Sequence, residues 1–110
     1  MLYAWEVQGR PPMSEVVHRV LMLAGPRDRA GVADRASALA CGVADGATAL
    51  DDEIAAAADH WRLDRIGAIE RAILRLGLYE LHQAQAPAPV VIDEAVRLAH
   101  WFAGSKAPAF

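Results

Sequence analysis

The sequence predicts an all-helical fold from the spacing of its apolar residues and from its breaks. Apolar side chains recur three and four positions apart through most of the chain, which is the period of one helix face. No stretch alternates apolar and polar residues for long enough to form a half-buried strand. Glycine and proline clusters interrupt the helical pattern repeatedly. We therefore expect six helices in two packed groups, with a hinge between them within residues 42–51.

Three helices are expected before the hinge. The first ends near Gln8, where a glycine and the Pro11-Pro12 pair stop it, so the chain is expected to begin inside that helix. Ser14 is placed to cap the second helix, which Gly25-Pro26 closes, and the third runs from about residue 27 to 43. The faces predicted to point inward are Val17, Val20, Leu21 and Ala24 in the second helix, and Val32, Ala36, Leu39, Ala40 and Val43 in the third.

Three more helices are expected after the hinge. The acidic run Asp51-Asp52-Glu53 is predicted to open the fourth, where negative charge complements the helix dipole. The fifth, from about residue 63 to 83, has the strongest pattern and is predicted to be the central core helix. The sixth follows the Pro87-Ala88-Pro89 break and ends before Gly104. The predicted inward faces are Ile54, Ala57, Ala58 and Trp61 in the fourth helix, Ile66, Ile69, Ile73 and Leu76 in the fifth, and Val91, Ala95, Leu98, Ala99 and Phe102 in the sixth.

Composition bounds the class of protein. With 110 residues, of which 55% are hydrophobic and 23% charged, the chain is expected to form a single domain over residues 1–110. Its only cysteine, Cys41, excludes a disulfide framework and is expected to be a small core residue in a reducing compartment. No apolar run is long enough to span a bilayer and the start lacks the layout of a signal peptide, so we expect a cytoplasmic protein. The net charge of −3 means that any contact with RNA is expected to come from a local basic patch.

Residues that could carry catalysis are few. The three carboxylates of the acidic run point in different directions around a helix, which favours capping over a catalytic or metal site. The four histidines, His18, His60, His82 and His100, show no metal-ligand spacing with one another or with the cysteine. The sequence has neither a glycine-rich phosphate loop nor a Gly-x-Ser-x-Gly elbow. We therefore expect no enzyme activity, no metal and no cofactor.

The strongest surface feature of the sequence lies on the fifth helix. Asp64, Arg71, Arg75 and His82 fall near one line along it, and the two arginines are placed to act together on a phosphate or a carboxylate. From the residues alone, a solvated or intrahelically paired face is the more common meaning of such a line.

Aromatic side chains are the second surface candidate. Tyr3 and Trp5 near the start, and Trp101 and Phe102 near the end, could stack on unpaired bases of single-stranded RNA. Core packing is the more common use of aromatic residues, and it is expected for Phe102 and Trp61. For Tyr3 both possibilities stay open.

Taken in order, these motifs resemble the NusB family over nearly the whole chain. Residues 2–6, Leu-Tyr-Ala-Trp-Glu, are similar to the Leu-Tyr-x-Trp segment that ends the family's first helix. Residues 52–54 followed by 60–65, His-Trp-Arg-Leu-Asp-Arg, are similar to its fourth-helix signature. The most specific similarity is Arg-Ala-Ile-Leu-Arg-Leu-Gly-Leu-Tyr-Glu-Leu at 71–81, followed after a proline-containing loop by Val-Ile-Asp-Glu-Ala-Val-Arg-Leu-Ala at 91–99.

The resemblance implies a fold of two perpendicular three-helix bundles and a role in transcription antitermination at ribosomal RNA operons. Members of the family act by binding. They hold the single-stranded boxA element of nascent RNA together with the small-subunit ribosomal protein NusE, and the pair associates with elongating RNA polymerase. Carried over by position, the resemblance implies Tyr3, Arg71, Arg75 and the loop with Lys106 on the RNA side, and Glu70 with its neighbours on the NusE side.

Three departures from the family pattern carry expectations of their own. The family has Asn where Asp93 stands, a change that keeps a capping side chain. The Arg-rich half-helix before the Leu-Tyr-x-Trp segment is absent, so RNA binding is expected to be weakened by the loss of phosphate contacts. The last helix, with its Val-Asn-Gly-Val-Leu segment, is absent too. Apolar surface on the fifth and sixth helices is therefore expected to be exposed, with marginal folding or self-association as the result.

Two other functions stay open at this point. One is a protein-interaction module that binds NusE without RNA, which the acidic balance and the missing basic arm favour. The other is the RNA-binding domain of a ribosomal RNA cytosine methyltransferase, which has the same fold. The segments at 79–81 and 92–95 fit the NusB pattern better.

Overall fold

A computed structural model of the chain describes residues 1–24, 31–57 and 65–102. Within these ranges the chain forms six α-helices and contains no strand, which confirms the predicted all-helical class. None of the helices described is long and apolar enough to cross a membrane. The helices are α1 (Leu2–Val7), α2 (Met13–Ala24), α3 (Val32–Asp45), α4 (Ala47–Ala57), α5 (Ala68–Gln83) and α6 (Ala88–Phe102).

Contacts along the chain divide it into two compact units, Met1–Asp45 and Gly46–Phe110. The first unit contains α1, α2 and α3, and the second contains α4, α5 and α6. The boundary between the units falls within residues 42–51, where the sequence predicted a hinge.

The first unit is built on α2, which contacts both α1 and α3. α1 ends in a reversal of the chain, in which the backbone amide of Arg10 donates to the carbonyl of Trp5 at 2.9 Å. Gly9 and Arg10 both have positive φ there, a conformation that glycine adopts without a Cβ clash. The helix therefore stops at Gln8, as predicted. The buried apolar residues of this unit are Trp5, Met13, Val16, Ala40 and Val43.

The second helix begins earlier than predicted, and its buried face differs from the predicted one. α2 starts at Met13, and the backbone amide of Val16 donates to the carbonyl of Pro12 at 3.4 Å. The exposed Ser14 consequently lies inside the first turn and does not precede it as a cap. Met13 and Val16 form the buried stripe, which is rotated about the helix axis from the predicted face. The residues predicted to be buried are only half-buried: Val17, Val20 and Leu21.

In the second unit α5 is central and contacts both α4 and α6, as predicted for the core helix. α4 begins at Ala47, one turn before the acidic run that was predicted to open it. α5 begins at Ala68, after the N-cap residue Gly67, and so starts later than predicted. α6 begins at Ala88, which places Pro89 in the first turn, where a proline removes no helical hydrogen bond. The buried apolar residues of this unit are Ala47, Leu50, Ile73, Val91 and Ala99.

The prediction that Phe102 packs in the core is wrong, because 63% of its surface is exposed at the end of α6. Helical spacing places Phe102 near the face of α6 that buries Ala99. Burial also requires another helix to pack against that end of α6, and the spacing of apolar residues does not show whether one does. Cys41, expected in the core, is half-buried in α3. Several predictions lie outside the described residues: those for Gly25-Pro26, the start of the third helix, Ala58, His60, Trp61, Asp64, Gly104 and Lys106.

Candidate functional site

Arg75 occupies a buried position between α5 and α4. Its Nε donates to Asp51 Oδ1 at 2.6 Å, and its Nη2 donates to Asp51 Oδ2 at 2.9 Å. Only 4% of the Arg75 side chain is exposed, against 22% for Asp51. Two parallel bonds from one guanidinium to one carboxylate are the geometry that arginine forms best and that lysine cannot reproduce. The Arg75 side chain therefore joins two helices at the place where the sequence indicated a solvated or intrahelically paired face.

The acidic run Asp51-Asp52-Glu53 does not cap α4, so the sequence prediction is wrong here. All three residues lie inside the helix, and two of them pair with α5: Asp51 with Arg75, and Glu53 with His82, whose Nε2 lies 2.9 Å from Glu53 Oε1. The prediction considered only local charge and the helix dipole, whereas partners 24 and 29 residues away decide the role of these carboxylates. Asp52 between them is exposed.

The Asp51–Arg75 ion pair and the Glu53–His82 contact join α4 to α5. Asp51 and Glu53 project about 200° apart around α4, because each residue of an α-helix advances by about 100°. Arg75 and His82 lie two turns apart on one side of α5. One pair therefore lies on each side of α4, and the face of α4 between the two pairs contacts α5. This arrangement holds α4 across α5. The outer pair is weakly constrained, since both of its side chains are half exposed.

Arg71 is half-buried one turn before Arg75 and has a different partner. Its Nη1 donates to the carbonyl oxygen of Ile66 at 2.6 Å, which ties α5 to the segment that precedes it. The sequence suggested that Arg71 and Arg75 act together on one ligand. In the structure the two guanidinium groups have separate protein partners, Ile66 and Asp51.

Glu70 belongs to the first turn of α5. It is the third residue after the N-cap Gly67, and its carboxylate lies over Gly67, in the space that a Cβ at this position would occupy. An acidic side chain at that position folds back toward the start of the helix in the capping-box arrangement, and its charge complements the helix dipole. Glu70 is half-buried as a result of this folding back.

Tyr3 lies in the first unit, on α1, and 50% of its surface is exposed. Its neighbour Trp5 is buried, with the guanidinium of Arg10 stacked 4.9 Å from the centre of the Trp5 ring. Arg10 also pairs with Glu6 at 3.1 Å, one turn earlier. The aromatic ring available for stacking in this helix is therefore that of Tyr3. The other predicted site residues that the structure describes, Glu70, Arg71 and Arg75, lie in the second unit.

An apolar groove in the second unit is a feature of the described surface that sequence reasoning did not locate. It encloses about 560 Å³ between α4, α5 and α6, and its single charged lining residue is Glu53. The expected exposure of apolar surface on the fifth and sixth helices is confirmed by Leu81, Ile92 and Val96, which line the groove and are exposed. Among the described lining residues Glu53 is the one titratable side chain, so the groove offers mainly apolar contact. Its walls include Ile54 and Ala57 of α4, Leu74 and Leu78 of α5, and Ala95 of α6.

A metal centre is not formed by the part of the chain that the structure describes. No three His, Cys, Asp or Glu side chains in these ranges come together as ligands. His18, His82 and His100 are exposed.

Comparison with known proteins gives one consistent family. A model of the NusB family matches residues 1–110. A protein of Solibacter usitatus (strain Ellin6076), named transcription antitermination protein NusB, is 46% identical over 61 residues, which are 56% of this chain and 42% of that protein. Proteins of the same name from Anaeromyxobacter dehalogenans strains 2CP-1 / ATCC BAA-258 and 2CP-C are each 39% identical over 79 residues, which are 72% of this chain and 56% of those proteins. The chain spans about half the length of these curated relatives. The match to the family model across the chain shows that the protein belongs to the NusB family.

Proposed function

We propose that this chain acts in transcription antitermination by binding boxA-type single-stranded RNA of ribosomal RNA operons together with the ribosomal protein NusE. The observation that carries the proposal is the match to the NusB family over residues 1–110, which includes the α5 and α6 segments. In this proposal the chain is a binding protein and not an enzyme. It works in the cytoplasm, where it reaches RNA polymerase through the complex with RNA and NusE.

The RNA side of the proposed interface uses Tyr3, Arg71, Arg75 and Lys106. Half of the Tyr3 surface is accessible, as stacking on an unpaired base requires. Arg71 is half-buried with its Nη1 on the Ile66 carbonyl, and a guanidinium is a side chain well suited to phosphate recognition. Arg75 takes part through its place in the α4–α5 contact, and Lys106 is assigned from the family resemblance alone.

The NusE side uses Glu70 and the start of α5. The Glu70 carboxylate lies over Gly67, in the first turn of α5. A carboxylate at this place offers a charged contact to a basic partner, which favours specificity.

A second candidate is a module that binds NusE and has lost RNA binding. The net charge of −3 favours it, since nucleic-acid affinity depends largely on neutralised phosphates. The buried Asp51–Arg75 pair favours it as well, because one of the predicted RNA-side cations already bonds a carboxylate.

A fluorescence titration separates the two candidates. Labelled boxA-type RNA and a scrambled RNA are titrated with the chain at one stated salt concentration, with and without NusE. Selective binding that strengthens with NusE supports antitermination. NusE binding without selective RNA binding supports the second candidate, and binding to neither contradicts both.

Two aromatic variants sharpen this experiment. Tyr3→Ala is expected to weaken boxA binding by about 1 to 3 kcal/mol, the range measured for removing one base-stacking ring. Trp101→Ala removes a more exposed ring that the sequence also offered for stacking, and is expected to bind as the unchanged chain does if Tyr3 carries the stacking. Equal losses in both variants would contradict the assignment of Tyr3.

A further inference from the structure

The contact between α4 and α5 contains a buried ion pair, Asp51–Arg75. Arg75 is nearly completely buried, and both of its bonds to Asp51 are short and parallel. Exposed ion pairs of the same chemistry occur elsewhere, as between Asp93 and Arg97 one turn apart on α6, where 61% and 74% of the side chains are exposed. Buried and exposed ion pairs differ in how much their loss changes stability. Losing one partner of a buried pair leaves a charge without compensation, whereas losing an exposed pair changes stability little.

We propose that Asp51 and Arg75 are a positioning pair for the RNA-binding function, in which Arg75 supports the interface by holding α4 across α5 and does not itself bind phosphate. This inference rests on the function proposed above. It assigns to Arg75 a role different from that of Arg71, although both lie on one side of α5 one turn apart.

Accessibility supports this assignment. A phosphate oxygen would have to approach a side chain that is 4% exposed, and would have to displace a bidentate carboxylate from it. Such an exchange leaves the Asp51 carboxylate, itself only 22% exposed, without its cation.

The test compares variants in which a phosphate-binding role and a positioning role give opposite results. Asp51→Asn keeps Arg75 charged and loosens its tether. If Arg75 positions α4, boxA affinity falls by about tenfold or more, equivalent to about 1.4 kcal/mol. If Arg75 binds phosphate, affinity stays the same or rises, because a competing carboxylate has been removed. An unchanged or tighter complex therefore overturns the proposal.

Arg75→Met and a charge exchange supply two further readouts. Removing a phosphate contact lowers the slope of log affinity against log salt by about 0.7 on single-stranded RNA, so Arg75→Met is expected to weaken binding with the slope unchanged. A slope reduced by that amount overturns the proposal.

The double variant Asp51→Arg with Arg75→Asp is expected to recover affinity and melting temperature relative to either single exchange, since the pair is restored in reverse.

Matched controls separate positioning from loss of stability. Asp93→Asn breaks the exposed pair on α6 and is expected to change the melting temperature by less than about 4 °C, against about 10 °C or more for Asp51→Asn. Val91→Ala destabilises the buried core of the same unit without touching the pair. At a temperature where every variant is folded, Val91→Ala is expected to bind boxA normally, and a loss equal to that of Asp51→Asn overturns the proposal.

Failure of the proposed function is distinguishable from failure of this inference. If the unchanged chain binds no boxA RNA selectively even with NusE, the function falls and the RNA part of the inference falls with it. The melting temperatures of the single and double variants still report whether Asp51 and Arg75 are coupled. Additive losses, with no recovery in the charge exchange, would show that they are not.

Discussion

At the scale of single residues, side chains that the sequence offered as ligands for a partner are held by the protein itself. Arg75 bonds Asp51, Arg71 bonds the carbonyl of Ile66, and the Glu70 carboxylate lies over Gly67. Each of these contacts fixes one end or one side of α5. The helix with the clearest family signature is therefore also tied to its neighbours by side-chain bonds, and a binding surface benefits from such support.

Two glycines of the second unit are expected to respond in opposite directions to the same substitution. Gly67→Ala places a methyl group where the Glu70 carboxylate lies, and is expected to destabilise the fold by about 0.5 to 1 kcal/mol. Gly77→Ala inside α5 meets only Ala95 Cβ at 3.8 Å, an ordinary contact. It is expected to stabilise by about 0.5 to 1 kcal/mol through helix propensity.

Urea unfolding followed by far-ultraviolet circular dichroism checks both variants. The unchanged chain is the reference for each midpoint. A destabilised Gly77→Ala would show that a Cβ at position 77 comes closer to Ala95 Cβ than the 3.8 Å found here. An unaffected Gly67→Ala would show that the Glu70 carboxylate moves away at no cost.

The individual roles of the site residues could not be predicted from the sequence, for a definite physical reason. Asp51 meets Arg75 across 24 residues, and nothing in the local pattern of either segment records that contact. Local reasoning about Asp51 considered the helix dipole and assigned a cap. Local reasoning about Arg75 considered its own helix and assigned a solvated face. The exposure of Tyr3 was likewise undecided, because a ring on a short helix can face either way.

At the scale of helices, the sequence predicted number and order well and boundaries less well. Six helices were expected and six are found within the described residues. The errors fall at the starts of α2, α4 and α5, and for α2 and α4 capping residues were sought in the local sequence. Ser14 and the acidic run are good capping residues in isolation, but Pro12 and Gly46 supply the carbonyls that accept the first helical amides of α2 and α4.

The buried face of α2 gives a prediction at this scale. Val16 is 1% exposed, whereas Val7 of α1 is 56% exposed. Val16→Ala is expected to destabilise the protein by about 2 to 3 kcal/mol, because two methyl groups are lost and a cavity remains. Val7→Ala removes the same atoms and is expected to change stability by less than about 0.5 kcal/mol.

Thermal unfolding of the two valine variants measures this difference. Because Val16 lies in the first unit, its result also reports on that unit in particular. Equal effects of Val16→Ala and Val7→Ala would contradict the observed face of α2, and would favour the face predicted from the sequence.

At the scale of the whole molecule, the division into two units was the most predictable feature. The glycine-rich stretch 42–51 indicated a hinge, and the contacts separate the units at Asp45 and Gly46. Exposed apolar surface in the second unit was also expected, but the groove itself was not. Its walls come from three helices, and a cavity between helices depends on their separation, which apolar spacing does not determine.

The exposed apolar surface leads to a prediction about association. Contiguous apolar surface on a small protein favours contact with a second copy, and the net charge of −3 gives little repulsion against it. Sedimentation velocity is therefore expected to show a coefficient that rises with concentration. Ile92→Glu combined with Val96→Glu places two charges at the edge of the groove and is expected to remove this rise. Met22→Glu, at an exposed apolar position of the first unit, is the matched control and is expected to leave the rise unchanged. Loss of association in Met22→Glu alone would place the contact in the first unit, and a single unchanging coefficient for the starting chain would contradict self-association altogether.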